Sequence, residues 1–140
     1  MTNQQTITID NKQYNFDDFN DNARAQLENL RFVDEQLQLL VNRAALIQTA
    51  KAAYTRVLAD SLPEKKAAAN KNKNTILIDK QKYNLDDFNE QGKSQLLNIQ
   101  FSEQELALLN DQQAVMQTAR SQYLRALTEE VKQLTPVKPQ

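Results

Sequence analysis

The segment TITIDNKQYNF at residues 6–16 returns as TILIDKQKYNL at residues 75–85. The match continues without a gap from residues 6–62 to residues 75–131, and 24 of the 57 aligned positions are identical. The chain therefore contains two copies of one small unit. The fold of that unit decides the fold of the whole chain, and any function should lie in the unit or in the way the two copies pair.

The repeat divides a chain of 140 residues into pieces that are small for a stable domain. Cys and His are both absent, so neither disulfides nor the common transition-metal ligands can stabilise a unit. Each unit must therefore pack on the other unit or on further chains. The predicted segments are repeat unit 1 at 6–62, a linker rich in Lys, Ala and Asn at 63–74, repeat unit 2 at 75–134 and an extended tail at 135–140.

Each unit begins with a pattern typical of a β-hairpin. Two short alternating segments flank Asp10-Asn11-Lys12 in the first copy and Asp79-Lys80-Gln81 in the second, and both tripeptides favour a turn. A lone hairpin is marginally stable in water, so one face of it must pack on something. The residues expected to face inward are Ile7, Ile9, Tyr14 and Phe16, with Ile76, Ile78, Tyr83 and Leu85 in the second copy.

A short helix is predicted after each hairpin. Asn20 and Asn89 are good N-cap residues, and the Asp residues before them suit the positive end of a helix. The expected ranges are about 21–31 and 90–100. Apolar residues with helical spacing support them, namely Ala23, Leu27 and Leu30 in the first copy and Leu96 and Ile99 in the second.

A long amphipathic helix is predicted to follow, starting near Ser102 in the second copy and near Asp34 in the first. The capping signal of the first copy is weaker, so a continuous helix is the alternative there. Ser102 and Glu105 have the spacing of a capping box, and neither Gly nor Pro interrupts residues 34–62 or 103–134. The expected fold is mainly α with small β-hairpins (α+β). It consists of two tandem ββαα units packed as a helical bundle.

One apolar stripe marks the buried face of each long helix, because its members recur every three or four residues. Its large members are Leu37, Leu40, Ile47, Tyr54 and Leu58, and in the second copy Leu106, Leu109, Met116, Tyr123 and Leu127. Further apolar positions widen the face in the first copy, namely Leu39, Val41, Leu46, Ala53 and Val57. The hairpin can cover part of this face, and we expect another long helix to cover the rest.

The chain lacks the residue types that most catalytic, metal-binding and phosphate-binding sites need. Without His or Cys there is no Ser-His or Cys-His pair, and Gly92 is the only glycine, so a phosphate-binding Gly-rich loop is excluded. The segment from Asp87 to Gly92 begins like a calcium loop, but Asn98 stands where the bidentate Glu belongs. The adjacent Asp residues serve a helix start better than acid–base catalysis. We therefore predict no enzyme, no metal and no cofactor.

A repeated polar set leaves a binding site open as an alternative. Gln48 and Arg56 are eight residues apart, close to two helical turns, so they share a face. Side chains of this kind can hold a carboxylate or phosphate group, or they can form a solvated face or an inter-helix hydrogen bond. The candidate ligand-binding residues are Gln48, Thr49 and Arg56, with Gln117, Thr118 and Arg125 in the second copy.

Charge and hydropathy indicate neither nucleic acid nor a membrane as a partner. The net charge is −1 and the basic excess lies in the linker, which is more typical of a solvated spacer than of a nucleic-acid surface. No apolar run reaches the ~20 residues of a membrane span. The first five residues lack the basic and apolar regions of a signal peptide. We therefore expect the cytoplasm of a bacterial host, or a phage particle, as the location.

The order of these motifs resembles a family of small, uncharacterised bacterial and phage proteins, a domain of unknown function. Its members look like a single unit, whereas this chain is a tandem with Asn11 and Lys80 where a turn Gly is expected. The matching segments are Ile7–Asp10 with Tyr14, Phe16–Asn20, Gln26–Phe32 and Gln48–Tyr54, and then Ile76–Asp79 with Tyr83, Leu85–Asn89, Gln95–Phe101 and Gln117–Tyr123. The resemblance implies a phage or bacterial origin and no established activity.

Two functions follow as hypotheses. The first is a non-enzymatic assembly protein, such as a component of a phage particle, that forms homo-oligomers through its long helices. In such an assembly, the two repeats of one chain would occupy two equivalent positions, like a pseudo-symmetric dimer. The alternative is a phage or bacterial protein that sequesters a small anionic ligand or a partner peptide between helices.

Overall fold

The computed structural model describes residues 5–64 and 74–138, and it is mainly helical with two small hairpins. Each hairpin is followed by a single 3₁₀ turn and one long helix, so the predicted order of strands before helix in each copy is confirmed. Residues 65–73 of the predicted linker and residues 139–140 of the predicted tail lie outside the described residues. The elements are β1 (Thr6–Ile9), β2 (Lys12–Asn15), α1 (Asp21–Ala59), β3 (Thr75–Ile78), β4 (Gln81–Asn84) and α2 (Glu90–Val131), with 3₁₀ turns at Phe16–Asp18 and Leu85–Asp87.

Both hairpins are antiparallel and close through two-residue turns. Ile7 lies opposite Tyr14 in the first, and Ile76 lies opposite Tyr83 in the second. All four turn residues have positive φ, as a type I′ turn requires. The φ values are 50° at Asp10, 64° at Asn11, 48° at Asp79 and 68° at Lys80. The predicted hairpins are therefore confirmed, with Asn and Lys adopting the conformation for which glycine is the usual residue.

The helix starts are confirmed in atomic detail. The Asn20 side-chain oxygen accepts a hydrogen bond from the Ala23 N–H at 2.8 Å. The Asn89 side-chain oxygen accepts one from the Gly92 N–H, also at 2.8 Å. Each amide thus satisfies one of the backbone donors that a helix leaves unpaired at its first turn.

The predicted break between a short and a long helix is wrong, and the alternative of a continuous helix in the first copy is confirmed. Both α1 and α2 continue through the expected boundary without interruption. Ser102 does not cap a new helix: it is buried within α2, and its hydroxyl donates to the Asn98 carbonyl oxygen at 2.8 Å. A serine whose hydroxyl bonds four residues back is satisfied inside a helix, so a Ser-x-x-Glu sequence alone does not start one.

The compact units of the structure combine residues from both repeats. The first unit comprises Met1–Val41 with Asp111–Gln140, and the second comprises Asn42–Asn110. Each unit therefore holds one hairpin, the first part of the helix that follows it, and the last part of the helix that belongs to the other repeat. The predicted units at 6–62 and 75–134 describe the sequence repeat, which is a different division of the chain.

The core of the first unit shows this exchange of helix ends. The hairpin and the start of α1 contribute apolar residues, and Leu127 and Val131 from the end of α2 are each 1% exposed among them. The first core consists of Ile9, Tyr14, Phe19, Ala23, Leu27, Leu30, Leu127 and Val131. Half-buried Ile7, Phe16, Tyr123, Leu124 and Leu134 pack around it.

The second unit has the reciprocal arrangement with a smaller buried core. Leu58, near the end of α1, is 1% exposed and packs with Tyr83, Phe88 and Ile99. Leu58 aligns with Leu127 of the other repeat. Half-buried Tyr54, Leu62, Ile76, Ile78 and Leu96 surround this second core.

Two ion pairs also join residues of different repeats within one compact unit. In the first unit, Arg120 Nε lies 2.7 Å from Asp34 Oδ1. In the second unit, Lys51 Nζ lies 3.3 Å from Glu103 Oε1. The two pairs are equivalent under the repeat, because Lys51 aligns with Arg120 and Asp34 aligns with Glu103. Each joins a cation of one repeat to an acid of the other, although exposed pairs of this kind contribute little to stability.

The exchange of helix ends predicts which hairpin a helix mutation will weaken. Leu127→Ala should cost about 2–5 kcal/mol by leaving a cavity in the first core. It should therefore speed amide exchange at the Phe16 N–H, which bonds to the Gln5 carbonyl, more than at the Leu85 N–H, which bonds to the Asn74 carbonyl. Leu58→Ala is the matched variant and should reverse the order. Hydrogen exchange followed by NMR measures both, and faster exchange at Leu85 in Leu127→Ala would contradict the assignment.

Candidate functional site

The predicted apolar stripe lies along the inner side of the helices. All ten of its large members are buried or half-buried, with Leu58, Leu109 and Leu127 the most buried. Its buried and half-buried positions lie three or four residues apart, which is the spacing of a helix with one buried face, here called the inner seam. On α1 this inner seam contains Leu30, Val33, Leu37, Leu40, Ala44, Ile47, Lys51, Tyr54 and Leu58.

A second set of apolar residues lies away from the inner seam and is exposed. The prediction that Leu39, Val41, Leu46 and Ala53 widen the buried face is therefore wrong. The members of this second set recur every seven residues on each helix, and they occupy the same three positions in both repeats. Their side chains are between 52% and 72% exposed. We call this set the outer stripe, and it consists of Phe32, Leu39 and Leu46 on α1 and Phe101, Leu108 and Val115 on α2.

Each compact unit contains three residues of the outer stripe. The first unit has Phe32, Leu39 and Val115, and the second has Leu46, Phe101 and Leu108. The positions are equivalent, because Val115 aligns with Leu46. In the first unit, Val115 also lines a shallow groove of about 330 Å³ together with Leu40 and Met116. The exposed apolar surface of that unit thus continues inward to the seam.

The polar set that the sequence singled out does not form a pocket. All six of its members are exposed: Gln48, Thr49, Arg56, Gln117, Thr118 and Arg125. Thr49 and Thr118 donate their hydroxyl hydrogens to carbonyl oxygens four residues back, each at 3.0 Å. None of the six lines the groove beside Val115 or the larger groove of the second unit that is described next. Their role in ligand binding stays a prediction that this geometry does not support.

A larger groove lies in the second unit, and no motif of the sequence indicated it. It has a volume of about 900 Å³ and runs beside the whole of β3, from Thr75 to Asp79. We call it the β3 cleft. Apolar side chains from α1, α2 and the second hairpin line it, namely Leu58, Ile76, Ile78, Leu85, Leu96 and Ile99.

Smaller side chains in the second unit explain why the cleft is open. At the equivalent positions of the first unit, Phe16 and Leu124 pack against the first core. Their counterparts in the second unit are the shorter Leu85 and the smaller, polar Thr55, and both line the cleft. In the first unit, Arg24 also covers the Phe16 ring, with its guanidinium carbon 4.7 Å from the ring centroid.

The second core is less completely buried than the first, as expected where smaller side chains leave space unfilled. Ile9, Leu27 and Val131 are buried in the first unit, whereas their counterparts Ile78, Leu96 and Leu62 are only half-buried. Two buried side-chain oxygens in the described part of the chain lack a hydrogen-bond partner, and both belong to the second unit, on Asn84 and Gln95.

The mouth of the cleft is apolar where the first unit is polar. Leu77 is 63% exposed and Leu97 is 66% exposed, and both line the cleft. Their counterparts in the first unit are Thr8 and Glu28. The repeat alignment already shows this difference between the units. In the second unit, apolar residues replace polar ones at the rim of the cleft, and smaller residues replace larger ones on its floor. Read one copy at a time, however, each of these residues looks ordinary.

Charges at the cleft are mixed and nearly balanced. Lys51 and Lys93 face Asp79, Asp86 and Glu103 among the lining residues, and Lys51 pairs with Glu103. Within residues 5–64 and 74–138, no group of three or more acidic side chains lies close enough to hold a metal ion. Among those residues no helix is long and apolar enough to cross a membrane. The features that stand out are therefore two apolar surfaces, the outer stripe and the β3 cleft.

Comparison with known proteins gives no relative. No protein-family model, no curated protein and no solved structure matches the chain.

The difference between the two units predicts a stabilising double substitution. Thr55→Leu with Leu85→Phe restores the larger residues of the first unit and should fill part of the β3 cleft. We expect it to raise the free energy of unfolding by about 1–2 kcal/mol through added apolar burial. Thermal and urea unfolding measure the gain. Thr49→Leu is the control, because it makes the same change at a position of α1 that does not line the cleft, and it should not stabilise. A loss of stability would show that larger side chains overpack this region.

Proposed function

We propose that this chain is a non-enzymatic assembly protein that associates with copies of itself through the outer stripe. The observation that carries the proposal is the exposure of six large apolar residues at equivalent positions of the two repeats, beside an inner seam whose large apolar residues are buried or half-buried. A monomeric protein rarely leaves so many large apolar side chains in water.

The spacing of the two sets favours a bundle of more than two helices. A pair of helices needs only the apolar positions of a single seam, two in every seven residues. These helices carry a third apolar position in each heptad, which is the pattern of a helix with neighbours on more than one side. The outer stripe is therefore the surface on which further helices of the bundle would pack.

A second copy of the chain is the partner that fits best. The stripe occupies the same positions in both repeats, so it can face its own symmetry mate in an isologous interface. Six side chains of this size, each more than half exposed, offer on the order of 100 Å² apiece. With three stripe residues in each compact unit, a contact between two such units would bury roughly 600 Å², and the stripes of both units would have to be covered to reach the roughly 1,200 Å² of a stable interface. The net charge of −1 adds little repulsion between copies.

Resemblance to small bacterial and phage proteins suggests where such an assembly would be found. We place it in a phage particle or in the cytoplasm of a bacterial host, with protein as its partner and without nucleic acid, membrane or cofactor. Sequestration of an anionic ligand between helices is less well supported, because the polar side chains it needs are exposed.

Charged residues in the outer stripe should disrupt the assembly. Leu39→Lys with Leu108→Lys puts an ammonium group into the same position of each repeat, and burying it would weaken association by about 100-fold or more. Sedimentation equilibrium over a wide concentration range measures the effect. Circular dichroism establishes that the variant keeps its helices.

A matched control adds the same charge on the other side of the helices. Gln48 and Gln117 are exposed, and each lies two residues from a stripe member, about 200° around the helix. Gln48→Lys with Gln117→Lys should associate like the unmodified protein. A stable monomer of the unmodified chain at micromolar concentration would sink the proposal, as would equal weakening by both double variants.

A further inference from the structure

The β3 cleft lies beside a strand edge that has no strand partner. Within the described residues, the second hairpin is a two-stranded sheet in which β3 pairs only with β4. The cleft extends along all four residues of β3 and the first residue of the turn. An exposed edge of this kind is where a further extended chain can add to a sheet.

The register of the hairpin shows which backbone groups point outward from β3. The Leu85 N–H donates to the Asn74 carbonyl at 3.0 Å, so residues 74 and 85 form a hydrogen-bonded pair. Bonded and non-bonded pairs alternate in an antiparallel ladder. Ile76 with Tyr83 and Ile78 with Gln81 are therefore the next bonded pairs. Thr75 and Leu77 consequently direct their N–H and C=O groups away from β4.

The side chains beside this edge suit an apolar extended segment. In a strand added to β3, the residue opposite Leu77 would place its side chain beside the exposed Leu77. Its two neighbours would point to the other face, toward Leu96 and Ile99 on the floor of the cleft. The nearly balanced charges of the rim favour neither an acidic nor a basic segment.

The first unit has one backbone contact of this kind, at the edge of its hairpin opposite to the one that corresponds to β3. After α2 ends, Leu134 packs against the first core. The Val137 N–H then donates to the Gln13 carbonyl oxygen at 2.6 Å. Gln13 lies in a non-bonded pair of the first hairpin, so this contact is made at the outer edge of β2. The chain thus uses one hairpin edge for a piece of itself.

We infer that the second unit binds an extended apolar segment of a partner protein as a third strand beside β3, with alternate side chains in the β3 cleft. Backbone hydrogen bonds to Thr75 and Leu77 would supply the pairing, and the cleft would select apolar side chains. The first unit does not share this site, because Phe16 and Leu124 fill the corresponding space and Thr8 and Glu28 make its rim polar. This site is separate from the outer stripe and goes beyond the proposed function.

A designed peptide tests the strand pairing directly. The probe is a fluorescein-labelled peptide, Thr-Val-Thr-Val-Thr, with blocked ends, and its binding to the full chain is followed by fluorescence polarisation. With the central Thr opposite Leu77, its N–H points to β3 while both Val side chains enter the cleft. Methylating the central Thr nitrogen removes that hydrogen bond and should weaken binding by about tenfold or more. Methylating the two Val nitrogens, which point away from β3, is the matched control and should change affinity by less than about threefold.

A protein variant supplies the second arm. Thr55→Leu with Leu85→Phe fills part of the cleft with the residues of the first unit, so it should weaken binding by about tenfold or more while circular dichroism and thermal unfolding show a folded protein. Three results would each overturn the inference. They are no saturable binding by the unmodified chain up to about 1 mM peptide, equal binding of the two methylated peptides, and undiminished binding by the filled variant.

Discussion

The structure depends on the exchange of helix ends between the two repeats. A hairpin with four-residue strands and the first turns of one helix cannot enclose an apolar core, because they leave one side of it open to water. Leu127 closes that side for the first hairpin and Leu58 closes it for the second. Neither repeat supplies its own closing residue. In this respect the chain resembles a dimer whose two subunits are joined by a linker, and we expect each repeat to need the other for a complete core.

Joining the two subunits in one chain lets the two cores differ. In a dimer of identical units, a smaller residue in one core is a smaller residue in both, so an opened cleft would appear twice and weaken each unit. Here Leu85 and Thr55 open the second unit, while Phe16 and Leu124 keep the first filled. The outer stripe, by contrast, has apolar residues at equivalent positions of both repeats. Such equivalence suits the self-association proposed for the outer stripe, whereas the site proposed beside β3 does not need it.

Local signals in the sequence predicted the local structure well. Asp-Asn and Asp-Lys turns, alternating strands and the N-caps Asn20 and Asn89 all have their causes within a few residues. The helix break at Ser102 was predicted wrongly because a capping-box sequence can also lie inside a helix when the hydroxyl bonds to the preceding turn. The exchange of helix ends could not be predicted, because Leu58 and Leu127 occupy equivalent positions of the two repeats. Hydropathy alone does not show which of them completes which core. The β3 cleft became visible only when the packing of one unit was compared with the other.

The two apolar surfaces differ in what they can recognise. The outer stripe belongs to helices whose backbone groups bond within the helix, so only side-chain volume and shape act at that surface. A helix face of this kind accepts any partner with a complementary apolar pattern, and the chain itself carries that pattern twice. The edge of β3 instead offers N–H and C=O groups that demand an extended partner in a defined register, whatever its side chains. Self-association is therefore best served by the stripe, whereas recognition of a different protein is best served by the cleft, where backbone pairing supplies affinity and the apolar floor supplies selection.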